Sequence, residues 1–303
     1  MAHSRFIHDS GLTARMTLVM FLLGGLFVAL VVVLMYAFSS IAWLIGLAGI
    51  GVAFYQWWSS DKVAMKAMRA REVTPQEAPE LHGMIDRLCA MADMPKPRVG
   101  IADMSIPNAF ATGRSPDRAV VCVTTGILGM LSAEELEGVL AHELSHVAHR
   151  DVLVMTLASS AGIAAGMLTR GAQYGALTRG RGKDNQGAAM AMVVALVVSL
   201  VVYAVSFFLT RLLSRYREMA ADRAGAYLTM NPGALGSALQ KISGGIARTP
   251  AADLRGTSSA MNAFFIAPAI SGDAIHRATS THPSLEQRLE QLARIQTELG
   301  RRY

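Results

Sequence analysis

The chain has 303 residues, of which 52% are hydrophobic and 17% charged, with a formal net charge of +6 and a mean hydropathy of +0.35. The apolar excess lies in four blocks and the positive charge mostly beside them, without a basic stripe carrying aromatic platforms; this argues against a nucleic-acid binder and for an integral membrane protein. Two isolated cysteines, Cys89 and Cys122, exclude a disulfide framework or zinc ribbon and read as buried free thiols on the reducing side of the membrane.

The first block runs from about Thr17 to Phe38. At 1.5 Å per residue a helix over it spans about 33 Å, enough for a bilayer core and too long for a cleavable signal peptide. The second block, about Ile41 to Trp58, ends in Tyr55, Trp57 and Trp58, an interfacial aromatic belt. Only Ser39 and Ser40 lie between, so residues 1–58 are expected to form a two-helix membrane hairpin. Arg5 and Arg15 precede it, while Lys62, Lys66, Arg69 and Arg71 follow. The positive-inside rule then places the N-terminus and the segment from residue 59 onward in the cytoplasm.

Residues 59–150 read as a compact part containing short strands. Thr74-Pro75-Gln76-Glu77 is a capping box with proline at the first helical position, and Leu81, Ile85, Leu88 and Ala92 line one face of the helix that follows. After the breaker Pro95-Lys96-Pro97 come strand candidates at about 98–102, 109–112 and 119–124, the latter two joined by a turn over Gly113–Asp117. Ser132-Ala133-Glu134-Glu135 is a second capping box. It opens a helix carrying Leu136, Leu140, His142 and His146.

The third block is about Val152 to Thr169 and the fourth about Ala188 to Thr210. Their connector, residues 170–187, holds Arg170, Arg179, Arg181 and Lys183 against Asp184. If both blocks span, a basic loop lies outside, against the charge rule. If residues just before the third block and just after the fourth are to share one site, the number of crossings between them must be even, and two is the expectation; the alternative is helices that enter and return, or are shielded in the cytoplasm. From residue 211 the helix is expected to continue to about Tyr227, broken by Asn231-Pro232-Gly233. A helix over about 234–246, an irregular Gly/Ser-rich stretch and a last helix from near Ser284 follow, the last stacking Leu285, Leu289, Leu292 and Gln296. The expected parts are thus 1–58, 59–150, 151–210 and 211–303.

His142-Glu143-Leu144-Ser145-His146 is H-E-x-x-H on a helix. Residues four apart share a face, so both imidazoles can reach one zinc ion. Glu143, rotated by about 100°, can act on a water there, an arrangement suited to peptide hydrolysis. A catalytic zinc commonly has three protein ligands and an open fourth position. The candidates for the third are His149, His276, His282 and the acids of Arg217-Glu218-Met219-Ala220-Ala221-Asp222. Three ligands on one straight helix fit a tetrahedron poorly, which disfavours His149. Glu218 and Asp222 share a face: Glu218 can bind the metal, and Asp222 can accept from the far nitrogen of a ligand histidine.

His142–His146 followed by Arg150-Asp151, the Arg217–Asp222 segment, Thr281-His282-Pro283-Ser284 with Arg288, and Pro107-Asn108-Ala109-Phe110-Ala111-Thr112-Gly113 occur in an order and spacing that resembles the M48 family of metallopeptidases, most closely its HtpX-type membrane proteases. The resemblance covers nearly the whole chain; the loop around Met261–Ile266 follows the family only loosely. It implies that Glu218 is the third ligand of one zinc per chain, that Asp222 orients a histidine, and that His282 and Arg288 lie near the site. His282 would then donate to the oxyanion. Asn108, Ala109, Phe110 and Ala111 would lie on an edge strand that binds an extended peptide through main-chain hydrogen bonds.

The expected fold is a mainly α integral membrane protein with a small β-sheet, a zincin-like metallopeptidase domain and about four transmembrane helices. The expected function is a zinc endopeptidase of the bacterial inner membrane, multi-pass, with a cytoplasmic site, using Glu143 as general base and degrading misfolded or damaged membrane proteins under stress. Its partners would be polypeptides and the lipid bilayer, not nucleic acid. Two rivals differ in kind. An intramembrane metalloprotease would carry its histidines within an apolar span, whereas Ser132–Glu137 starts this helix in water. A non-catalytic membrane scaffold with structural zinc could dispense with Glu143 and would use four ligands.

Overall fold

A computed structural model describes residues 10–37, 47, 50–51, 54–55, 57–158, 165–166, 186–248 and 281–300. In chain order these form α1 (Ser10–Ala37), α2 (Ser60–Ala67), β1 (Ala70–Glu72), α3 (Pro79–Ala92), β2 (Arg98–Ala102), β3 (Ala109–Thr112), a 3-10 turn (Pro116–Arg118), β4 (Val120–Thr124), α4 (Thr125–Met130), α5 (Ala133–Ala148), α6 (Gln186–Thr229), α7 (Pro232–Arg248) and α8 (Leu285–Gly300). Residues 151–158 are also helical. The Ser39–Ser40 turn, most of the second apolar block, the remainder of the third, connector residues 170–185 and the stretch 249–280 with His276 and the 261–266 loop lie outside the described residues.

The chain divides into two units. The first takes in Trp58–Leu153 and Ser214–Tyr303. Its sheet has the order β1-β2-β4-β3, with β2 and β4 parallel and the other pairs antiparallel. All five residues of β4 are buried, as befits a central strand covered on both faces. Val121 and Val123 pack into the main core with Ile85, Leu88, Leu140 and Leu144 from α3 and α5. On the other face Cys122, Phe110 and Ala102 meet Ala64 of α2 and Met68 at its C-terminal cap. Both cysteines are free and buried, and burial pushes their thiols up, Cys89 to about 11 and Cys122 to about 12.

α5 begins where its sequence says it should. Ser132 Oγ accepts from the Glu135 backbone N–H at 3.3 Å, and the Glu135 carboxylate accepts from the Ser132 N–H at 2.9 Å, a reciprocal cap worth about 0.5–2 kcal/mol. The same carboxylate is gripped by Ser237 Oγ at 2.6 Å and Lys241 Nζ at 2.8 Å, which tie the start of α5 to α7.

Two local expectations shift, and one strand, β1, is unforeseen. Thr74 and Glu77 do hydrogen-bond, but they close a turn; the helix starts at Pro79, whose fixed φ and missing N–H suit a first helical position. β1 carries no apolar alternation and is held by pairing with β2 and by Arg98, which bonds Glu72 at 2.5 Å. The buried stripe of α8 is Arg288, Leu292, Ile295 and Leu299, with Gln296 exposed, because Arg288 is drawn inward by a carboxylate.

The second unit takes in Ala14–Trp57 and Val154–Leu213. Among the described residues, two helices are long and apolar enough to cross a membrane, over Thr13–Leu30 and Leu196–Thr229. Leu30, Ala165 and Val202 pack together with Leu26 and Val198, while Phe21 is 76% exposed and Met190 66%. Large apolar side chains turned outward over whole helices suit hydrocarbon, not water.

Candidate metal centre

α5 and the C-terminal half of α6 build the site. Gly225 of α6 lies against the backbone of α5 at Ala141 and His142, so the two helices meet main chain to main chain. Glu218 and Asp222, about two turns and one turn before it, therefore face the two histidines. Gly138 plays a similar part against α7: a Cβ there would stand 3.2 Å from Leu235 Cα.

His142 Nε2 and His146 Nε2 are 3.2 Å apart, Glu218 Oε1 is 3.4 Å from His146 Nε2, and Glu218 Oε2 is 3.8 Å from His142 Nε2. A tetrahedral ion with ligand bonds of about 2.0–2.1 Å separates neighbouring donors by about 3.3 Å. Two imidazoles and a carboxylate at these spacings fit such an ion. Among the described residues this His142–His146–Glu218 group is the cluster able to hold one. His149 is exposed at the C-cap of α5 and stands outside it; His276 lies outside the described residues.

The far nitrogens are also engaged. His142 Nδ1 stands 2.9 Å from Asp222 Oδ1. Arg288 donates to both oxygens of that carboxylate, at 2.7 and 2.6 Å. Removing one member of such a buried pair costs about 3–5 kcal/mol, because the other is left charged and unpaired. Burial holds His142 below the ordinary imidazole range despite the opposing pull of Asp222; the neutral ring is the form that binds metals. His146 Nδ1 is 2.5 Å from Asp151 Oδ2, and Asp151 in turn pairs with Arg217. His282 Nδ1 lies 2.9 Å from Glu218 Oε2, and Gln291 of α8 donates to the Met219 carbonyl at 2.7 Å.

Glu143 is 4% exposed. Burial raises its carboxyl to about 7, against the pull of His146 and a hydrogen bond from the Ala111 backbone. A carboxyl poised there can take up and give back a proton near neutral pH; a dication at the cluster would act the other way and favour the carboxylate. β3 is the end strand of the sheet, so the Ala111 contact sets Glu143 beside that strand. Asn108, Ala109 and Phe110 are buried and Ala111 is half-buried. The Asn108 carbonyl accepts from the Thr124 N–H at 2.9 Å.

The sequence-predicted residues His142, Glu143, His146, Glu218, Asp222, His282 and Arg288 thus converge, with Ala111 alongside. Sequence reasoning left Asp151, Arg217 and Gly225 without roles. Asp151 and Arg217 stood within the segments that carry the family resemblance, and Asp151 also as an acid five residues after His146, but neither had a role.

Comparison with known proteins gives a consistent picture. The Peptidase family M48 profile matches residues 75–296. The chain is 55% identical over 299 residues to Protease HtpX homolog 1 of Streptomyces coelicolor, covering 98% of this chain and 97% of that protein. It is 50% identical over 298 residues to the Protease HtpX homolog of Moorella thermoacetica, covering 97% of each. In structure it resembles Ste24p of S. mikatae with a TM-score of 0.59 at 17% identity, over 92% of this chain and 65% of that longer one.

Proposed function

The chain belongs to peptidase family M48, and from that membership we propose that it is a membrane-bound zinc endopeptidase whose site faces the cytoplasm and which degrades misfolded or damaged membrane proteins. The family makes it a membrane metalloprotease; the metal, the side of the membrane and the substrates are the proposal. The observation that carries it is the gathering of His142, His146 and Glu218 at metal-ligand spacing, with Glu143 buried next to them.

His142, His146 and Glu218 would hold the zinc, Asp222 and Arg288 keeping His142 in place. When bound, the ion supplies Lewis-acid polarisation of the scissile carbonyl and lowers the pKa of a water toward 7. Glu143 takes the proton from the attacking water and delivers it to the leaving amine. His282 donates to the oxyanion of the tetrahedral intermediate. The strand Asn108–Ala111 lines up an extended polypeptide by main-chain hydrogen bonds, which needs little side-chain preference and suits misfolded substrates.

Basic residues on both flanks of the first hairpin support a cytoplasmic site and an inner-membrane, multi-pass arrangement of about four spans. The working division is a first hairpin over 1–58, protease parts over 59–150 and 211–303, and a second hairpin over 151–210. In the test, purified protein is given zinc and casein or a model membrane protein. Digestion that stops on chelation and in Glu143→Gln supports the proposal; an unchanged rate in Glu143→Gln refutes the role of Glu143.

A further inference from the structure

Both histidines of the cluster are backed by the same kind of relay, an aspartate on Nδ1 and an arginine on the aspartate. For His142 the partners are Asp222 and Arg288; for His146 they are Asp151 and Arg217. We propose that Asp151 and Arg217 are positioning residues of the metal centre, one ion pair that orients His146 and fixes its distance from Glu218. This rests on the metallopeptidase reading of the cluster.

The chain goes out of its way to build the pair. α5 ends at Ala148, and Arg150 takes a left-handed φ of 55°. That reversal, closed by the Leu153 N–H on the Arg150 carbonyl at 3.0 Å, turns the chain so that Asp151 points back at His146. An acid at the start of residues 151–158 would gain from the helix dipole while facing water. Instead Asp151 is 9% exposed and Arg217 4%. Burying both charges is costly unless each satisfies the other.

The pairing also has a consequence for the ring. With Asp151 accepting from Nδ1–H, His146 is held in the tautomer whose Nε2 lone pair faces Glu218, 3.4 Å away. Arg217 directly precedes Glu218 in the chain. The ion pair therefore joins the exit of the motif helix to the residue before the third ligand. It lies just before the third apolar block in sequence and after the fourth. A sixty-odd-residue insertion is closed at its two ends by the contact that sets the metal geometry.

The test measures the zinc dissociation constant by competition with a chromophoric chelator, using the full-length purified chain with Glu143→Gln to prevent self-digestion. Melting of the zinc-free protein is recorded alongside. Asp151→Ala should weaken zinc binding by about 10–100-fold. Asp151→Asn should lose less, since its amide oxygen still accepts from Nδ1–H. Arg217→Ala should weaken binding too, and the double variant should be no worse than Asp151→Ala alone, because the two residues act through one contact. A purely structural pair would lower the zinc-free melting temperature and leave the folded protein's zinc affinity unchanged. That result in either alanine variant, or additive losses in the double variant, overturns the proposal. Failure of the parent chain to bind zinc would instead remove the metal site itself.

Discussion

Gly225 lies so close to His142 that a Cβ placed on it would stand 2.9 Å from the His142 backbone nitrogen. The obstacle is main chain, which cannot turn aside as a flexible side chain would. An alanine gains about 1 kcal/mol of helix propensity over glycine, but overpacking against backbone costs about 1–3 kcal/mol. Gly225→Ala is therefore expected to melt at a lower temperature and to hold zinc less tightly, since it moves Glu218 and Asp222 away from α5. Gly83 of α3 is the control: it is exposed and a Cβ there meets nothing within 4 Å. Gly83→Ala should be neutral or stabilising. Calorimetry and zinc titration of both variants check the pair, and a Gly225→Ala protein that melts and binds like the parent would contradict the close-contact account.

The Glu135 cap gives the motif helix an acid-sensitive foot. Burial opposes ionisation, but Lys241, Ser237 and the Ser132 N–H overcome it and hold the carboxyl at about 2, below the ordinary value near 4.5. With the folded pKa depressed, the contribution to stability is fully present above about pH 4.5 and is lost as pH falls toward about 2. Melting temperatures of the parent and Glu135→Gln, followed over this window, should differ most at the upper end and converge at the lower. A gap that stays constant with pH would show that the charge of Glu135 does not matter.

His282 touches Glu218 through Nδ1, and its proposed work is at the oxyanion. Loss of one such donor typically lowers kcat by about 10²–10³-fold. His282→Ala is expected to show a loss of that order with zinc still bound at one per chain. Steady-state kinetics alongside metal analysis make the check. An unchanged kcat would exclude the role, and loss of the metal would assign His282 to holding Glu218 instead.

What could be read from the chain beforehand follows the range of the interactions. The motif helix was legible because its signals are local: Ser132 and Glu135 close its start, and its ligands repeat at one turn. β2 and β3 were legible to the residue, being short apolar runs between breakers. β1 was not, because Ala70-Arg71-Glu72 becomes a strand only by pairing with β2. The face of α8 was placed only in part, Leu292 being buried and Gln296 exposed, for a related reason. An arginine counts as polar in any periodicity, yet Arg288 is buried by Asp222, a residue 66 positions away. The ligand face Glu218–Asp222 was visible as a spacing, while the glycine that lets it approach His142, and the Asp151–Arg217 pair, exist only once distant segments meet.

Topology is the least local property and has its own test. If the third and fourth apolar blocks both cross, the connector between them lies outside the cell and residues 59–150 inside. A cysteine introduced as Gln173→Cys should react with a membrane-impermeant thiol reagent in intact cells. One introduced as Gln76→Cys, at an exposed position, should react only after lysis. The native Cys89 and Cys122 are buried and give little background. Labelling of Gln173→Cys only after lysis would replace two spans by helices that do not cross.

One metal centre made from two distant stretches of chain would show in anomalous scattering at the zinc edge from crystals of the zinc-loaded protein. A single peak per chain is expected, within about 2.0–2.2 Å of His142 Nε2, His146 Nε2 and a Glu218 carboxylate oxygen. A peak lacking Glu218, or one completed by His149 or His282 in its place, would contradict it.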